Sequence, residues 1–111
     1  MSWIPYNHKP KYHNTFTHYK GDLYHSKKEA AYAADLDMRI FAHDIKSWER
    51  QVTIPLDIQG EHVCNYIIDF VITHNDNSKE YAEVKGMPTP VFKIKKKLFE
   101  ILHKDKRLTV I

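Results

Sequence analysis

NYIIDFVITHNDNSKEYAEVKG, residues 65 to 86, decides the fold. Its apolar, β-branched first part extends back to His62 and on to Thr73, which is the pattern of a strand. His74-Asn75-Asp76-Asn77-Ser78 is turn chemistry, so residues 80–85 return as an antiparallel partner. A turn centred on Asp76 sets Asp69 opposite Glu83, with Cβ atoms about 4.5–5.5 Å apart. A register shift of one residue would send the two carboxylates to different faces. Within EYAEVKGM, residues 80–87, Tyr81, Glu83 and Lys85 share one face, Ala82 and Val84 take the other, and Gly86 ends the strand.

Asp69 stands between Ile68 and Phe70, with Ile67 and Val71 expected on its own face. A buried carboxylate is costly unless it is paired or bound to a metal. A strand end open to solvent relieves that cost. A hard divalent cation between Asp69 and Glu83, Mg²⁺ above all, relieves it too. Lys85 lies one step further along, where an ammonium can hold a metal-bound water or stabilise phosphate charge. Taken alone, Glu83-Val84-Lys85 is more often what an exposed strand edge carries.

Working outward, Ser26 opens a helix that runs to about residue 44. Ala30, Ala34, Met38, Phe41 and Ile45 form one apolar row, and Glu29, Ala33, Leu36 and Ile40 form another beside it. Ser26-Lys27-Lys28-Glu29 fits a capping box, which by itself accounts for Glu29; an approach to the metal, direct or through water, stays open. Residues 51–56 alternate loosely and include Pro55, which suits an edge strand or a strand end, and Gln59-Gly60 is a turn. Thr89 is an N-cap with Pro90 at the first helical position. Val91, Ile94, Leu98, Ile101 and Leu102 are read as the apolar side of this second helix, with Lys93, Lys96, Lys97, Glu100 and Lys104 mostly opposite. Residues 108–111 form a last strand. The fold class is α/β: helix, three strands, helix, strand, around a small mixed sheet. Residues 1–25 read as a basic, aromatic arm with one extended piece at 16–20, and residues 26–111 as a single domain.

Composition fits this reading. The chain has 111 residues, 42% apolar and 13% aromatic, enough for one compact core. It has no apolar run long enough for a membrane span and no apolar segment of a secretory signal. The single cysteine, Cys64, suits a small core residue in a reducing compartment, and the location expected is cytoplasmic. Seventeen Lys and Arg against 14 Asp and Glu leave a net charge of +3. The basic residues gather in KIKKK at 93–97 and KDKR at 104–107, which suits either a polyanion partner or a solvated helix face. His8, His13, His18 and His25 match no compact zinc spacing.

Glu29 in SKKEA, Asp69 in YIIDF, and Glu83 with Lys85 in EVKG together resemble the PD-(D/E)XK nuclease superfamily, the restriction-endonuclease-like fold. KYHN near the start, the Y-x-x-D-F strand, VKG followed by Thr89, and FKIKKKL in the second helix are similar to a group of small phage-borne endonucleases and resolvases within it. Ile68 stands where the namesake proline would be. The resemblance implies an αβββαβ core and a Mg²⁺-dependent deoxyribonuclease, with Mn²⁺ able to substitute. Asp69, Glu83 and the Val84 carbonyl would bind the metal, Glu29 would support its hydration, and Lys85 would orient the attacking water. Lys93, Lys96 and Lys97, with Lys11, Lys27 and Lys28, would contact DNA. The substrate expected by analogy is branched DNA such as a Holliday junction, or duplex, cut by a homodimer acting away from membranes in phage recombination or DNA processing. If the chain is phage-borne, that places it in the host cytoplasm. An exonuclease or nicking enzyme of the same superfamily, a catalytically silent DNA-binding module, and a structural protein with incidental motifs are the competing readings.

Overall fold

The computed structural model describes residues 16–84, 89–106 and 108–111. The chain divides into two compact units between Asp35 and Leu36. The first contains an antiparallel hairpin, β1 (Thr17–Tyr19) and β2 (Asp22–Tyr24), followed by the start of helix α1 (Lys27–Phe41). Lys20 and Gly21 join the strands with φ of 50° and 86°, the left-handed pair that a tight two-residue hairpin requires. The expected lone extended piece at 16–20 is therefore half of a paired hairpin.

The second unit takes up the end of α1 and continues through β3 (Ser47–Ile58), β4 (Glu61–Thr73), β5 (Lys79–Glu83), α2 (Pro90–Leu102) and β6 (Leu108–Val110). The expected order of helix, three strands, helix and strand is present. The four strands form one mixed sheet in the order β3-β4-β5-β6, antiparallel except for the parallel pair β5 and β6. Pro55, which has no N–H to donate, sits on the edge strand β3. Gln59 and Gly60, with φ of 50° and 83°, make the turn into β4. β3 is longer than expected because Trp48, Glu49 and Arg50 join it, pairing with Ile72, Val71 and Phe70.

Each helix buries only part of what the sequence marks as apolar: α1 buries the Glu29, Ala33 and Leu36 row, and α2 packs Leu98 and Leu102 of its row against the core. In α1, Met38 and Phe41 are exposed, whereas Glu29, Ala30, Ala33 and Leu36 are buried. The helix stops at Phe41, and His43 takes a left-handed conformation with φ of 61°. In α2, Val91, Ile94 and Ile101 are exposed, and Phe99 is the fully buried residue. Phe99 packs with Leu56, Tyr66, Ile68, Val71 and Tyr81, flanked by Phe92, Leu98, Leu102 and Cys64. Thr89 caps this helix as expected: its hydroxyl accepts a hydrogen bond from the Phe92 N–H at 3.1 Å, with Pro90 in the first turn. Among the described residues, no helix is long and apolar enough to cross a membrane.

Candidate functional site

The turn between β4 and β5 fixes the register from which the site follows. Asp76 accepts hydrogen bonds from the Ser78 N–H at 2.9 Å and the Ser78 hydroxyl at 2.6 Å. These bonds hold its carboxyl below the usual range. Asn77 adopts a left-handed φ of 72°, and the His74 N–H closes the loop on the Ser78 carbonyl. Thr73 then pairs with Lys79, Ile72 with Glu80, Val71 with Tyr81 and Phe70 with Ala82. The next rung of that ladder is Asp69 against Glu83, the pairing that a turn centred on Asp76 dictates.

Two backbone bonds fix the pair. The Val84 N–H donates to Asp69 Oδ2 at 2.9 Å. The Glu83 carbonyl accepts from the Ile111 N–H at 2.9 Å, which ties the end of β5 to the end of β6. Glu83 is only 6% exposed, and its Oε1 is buried without a hydrogen-bond partner. Burial, and after it the charge of Asp69, push the Glu83 carboxyl up to about 8. An orphaned carboxylate oxygen beside a second carboxylate is a costly arrangement for a chain to retain.

A third group completes the cluster, and sequence reasoning missed it. Tyr66 is 3% exposed, and its ring packs against Phe99 and Phe92 with centroids 5.5 and 6.4 Å away. Its hydroxyl points toward Glu83 and lowers the carboxyl's affinity for a proton, yet Tyr66 Oη completes no hydrogen bond of full geometry. Burial, then Glu83 and Asp69, raise the phenol far above its ordinary range, so it remains a hydrogen-bond donor. Simple alternation would place Tyr66 and Asp69 on opposite faces. The β3–β4 ladder is interrupted at Gln51 and Asp69, where Gln51 has a φ of 54°. Across that interruption the alternation changes phase: Tyr66 and Ile68 join Val71 and Tyr81 around Phe99, while Phe70 stacks on Trp48 at 5.5 Å. Ile67, expected on the face of Asp69 among apolar neighbours, is instead 53% exposed.

The remaining candidate residues are placed as follows. Glu29 belongs to the first unit, buried in the first turn of α1, where its N–H donates to Ser26 Oγ at 3.0 Å. That is the Ser26 half of the capping box. Lys27 and Lys28 are exposed beside it. Lys93 and Lys97 are exposed on α2, but Lys96 is half-buried and donates to Glu100 Oε2 at 2.8 Å. Lys85 and Lys11 lie outside the described residues. Among the described residues, no three His, Cys, Asp or Glu side chains gather into one metal-holding group; Asp69 and Glu83 are a pair.

Residues 9–111 match the sequence model of a family described as "Protein of unknown function (DUF1064)". No curated protein matches the chain, and no solved structure does.

Proposed function

We propose that this chain, which belongs to the DUF1064 family, is a Mg²⁺-dependent DNA endonuclease with a restriction-endonuclease-like core, selective for branched DNA and working in the cytoplasm. The observation that carries the proposal is the pair of half-buried Asp69 and buried Glu83 on adjacent strands, with Glu83 Oε1 lacking any hydrogen bond. Two carboxyl groups side by side, one of them with an unused oxygen and held back from ionising by its burial and its neighbour, suit a hard cation with oxygen ligands. The helix, three-strand, helix, strand order around a mixed sheet agrees with the same reading.

On this reading Asp69 and Glu83 hold the ion, with the Val84 carbonyl as a further oxygen. The Val84 N–H fixes the orientation of the Asp69 carboxylate before any ligand arrives. Mg²⁺, when bound, would acidify an attacking water and neutralise charge on the scissile phosphate. Lys85, two residues beyond Glu83 in sequence, orients that water. Lys93 and Lys97 of α2 hold the phosphate backbone without reading bases.

Incubating the chain with linear, nicked, flapped and four-way DNA in Mg²⁺ or Mn²⁺ tests the proposal. Cleavage of the four-way or flapped DNA, lost in Asp69→Asn, is the expected result. Binding of DNA without cleavage of any substrate would replace the nuclease reading with a binding module. For the DNA surface, Lys93→Ala with Lys97→Ala should weaken binding to all sequences alike. The slope of log affinity against log salt should flatten by up to about 0.9 for each phosphate that is no longer neutralised. Lys96→Ala should do less, because Glu100 already neutralises that ammonium. Unchanged affinity and salt slope in the double variant would remove α2 from the DNA surface.

A further inference from the structure

We infer that Tyr66 is a positioning residue for Glu83: its phenol hydrogen-bonds the carboxylate when a divalent cation is bound and thereby sets which oxygen faces the ion. The inference rests on the cation-binding reading of Asp69 and Glu83. Tyr66 lies in a cluster with Leu56, Ile68, Val71, Tyr81 and Phe99, flanked by Phe92, where phenylalanine would fill the same space without burying a hydroxyl. A buried hydroxyl without a full partner destabilises the fold. Tyr66 Oη acts on the Glu83 carboxyl as a donor yet completes no hydrogen bond of full geometry, and Glu83 Oε1 has none either, which points to a state in which both are used. Two phenylalanine rings clamp the tyrosine ring, at 5.5 and 6.4 Å. The hydroxyl therefore has little freedom to turn elsewhere, whereas the Glu83 side chain, with three rotatable bonds, can. A ligand carboxylate held by an outer hydrogen bond gains both orientation and affinity for its metal. Asp69 has such a bond already from the Val84 N–H; Tyr66 is the residue placed to supply it for Glu83.

The test is Mn²⁺ binding by the full chain, followed by electron paramagnetic resonance, in wild type, Tyr66→Phe and Glu83→Gln, with a thermal melt of each without cation. Tyr66→Phe should weaken Mn²⁺ binding by about 10–100-fold. Its Tm without cation should be unchanged or raised, because an unbonded buried hydroxyl is gone. A purely structural tyrosine would instead lower Tm, and that result, or Mn²⁺ affinity equal to wild type, would overturn the inference while leaving the ion site intact. If wild type and Glu83→Gln bind Mn²⁺ equally, the ion is not held at Glu83, and the cation reading falls together with the role of Tyr66.

Discussion

Glu83→Gln is expected to abolish Mg²⁺-dependent cleavage and, at the same time, to make the protein more stable at pH 8 to 9. Loss of a metal-binding oxygen removes several kcal/mol of transition-state stabilisation, about a thousandfold or more in rate. The stability gain follows from the same carboxylate. Burial and Asp69 push Glu83 from its ordinary 4.5 up to about 8. Between those values the folded chain holds a proton that the unfolded chain releases, so stability falls as pH rises through the window and levels off above about 8. Glutamine mimics the protonated form and escapes that loss. Its advantage should be on the order of a few kcal/mol above pH 8, and it should fade toward pH 4, where wild-type Glu83 is protonated in both states. Added Mg²⁺ should raise the Tm of wild type at pH 8 to 9 and leave the variant unmoved. Thermal melts over pH 4 to 9, with and without Mg²⁺, check all of this. A variant less stable than wild type at pH 9 would mean that the charged Glu83 is satisfied by a partner. Full cleavage by the variant would move the metal elsewhere.

The parts of this site that were legible in the sequence are those governed by short-range rules. Asp76 and its neighbours fix a turn, the turn fixes a register, and the register fixes Asp69 opposite Glu83. Thr89 with Pro90, Pro55 on an edge, and the Gln59-Gly60 turn are equally local and were equally readable. Tyr66 was not, because its position depends on a change of phase at Gln51 and Asp69 that involves two strands at once. No local pattern marks glutamine for a left-handed φ. The exposure of Met38 in α1 has a different origin. Residues four apart drift about 40° around a helix of 3.6 residues per turn. A row stepping from Ala30 to Ala34 to Met38 therefore walks away from the core, while Glu29, Ala33, Leu36 and Ile40 stay in line. The burial of Glu29, Ala33 and Leu36 follows from that geometry.

Phe99→Ala should be the most destabilising truncation in α2, and Ile94→Ala nearly silent, which is the reverse of what the apolar row Val91, Ile94, Leu98 and Ile101 suggests. That row is coherent in sequence, but it lies about a quarter-turn from the face that the helix buries. The two phenylalanines, seven residues apart, share one side of the helix, and large aromatic rings bury more apolar surface than valine or isoleucine. Phe99 has no exposed surface and meets Tyr66 at 5.5 Å and Tyr81 at 5.7 Å. Its removal should leave a cavity against β4 and β5 and cost about 3–5 kcal/mol, a large share of the roughly 5–15 kcal/mol that holds a domain of this size together. Ile94 is 62% exposed, so its truncation should change stability by no more than about 0.5 kcal/mol. The effect of Phe99→Ala should also reach the site, because one of the two rings that hold Tyr66 in place is removed. Urea denaturation of both variants measures the difference. Equal losses at Phe99 and Ile94 would turn the helix back toward the Val91–Ile101 row and would detach Tyr66 from the packing that aims it at Glu83.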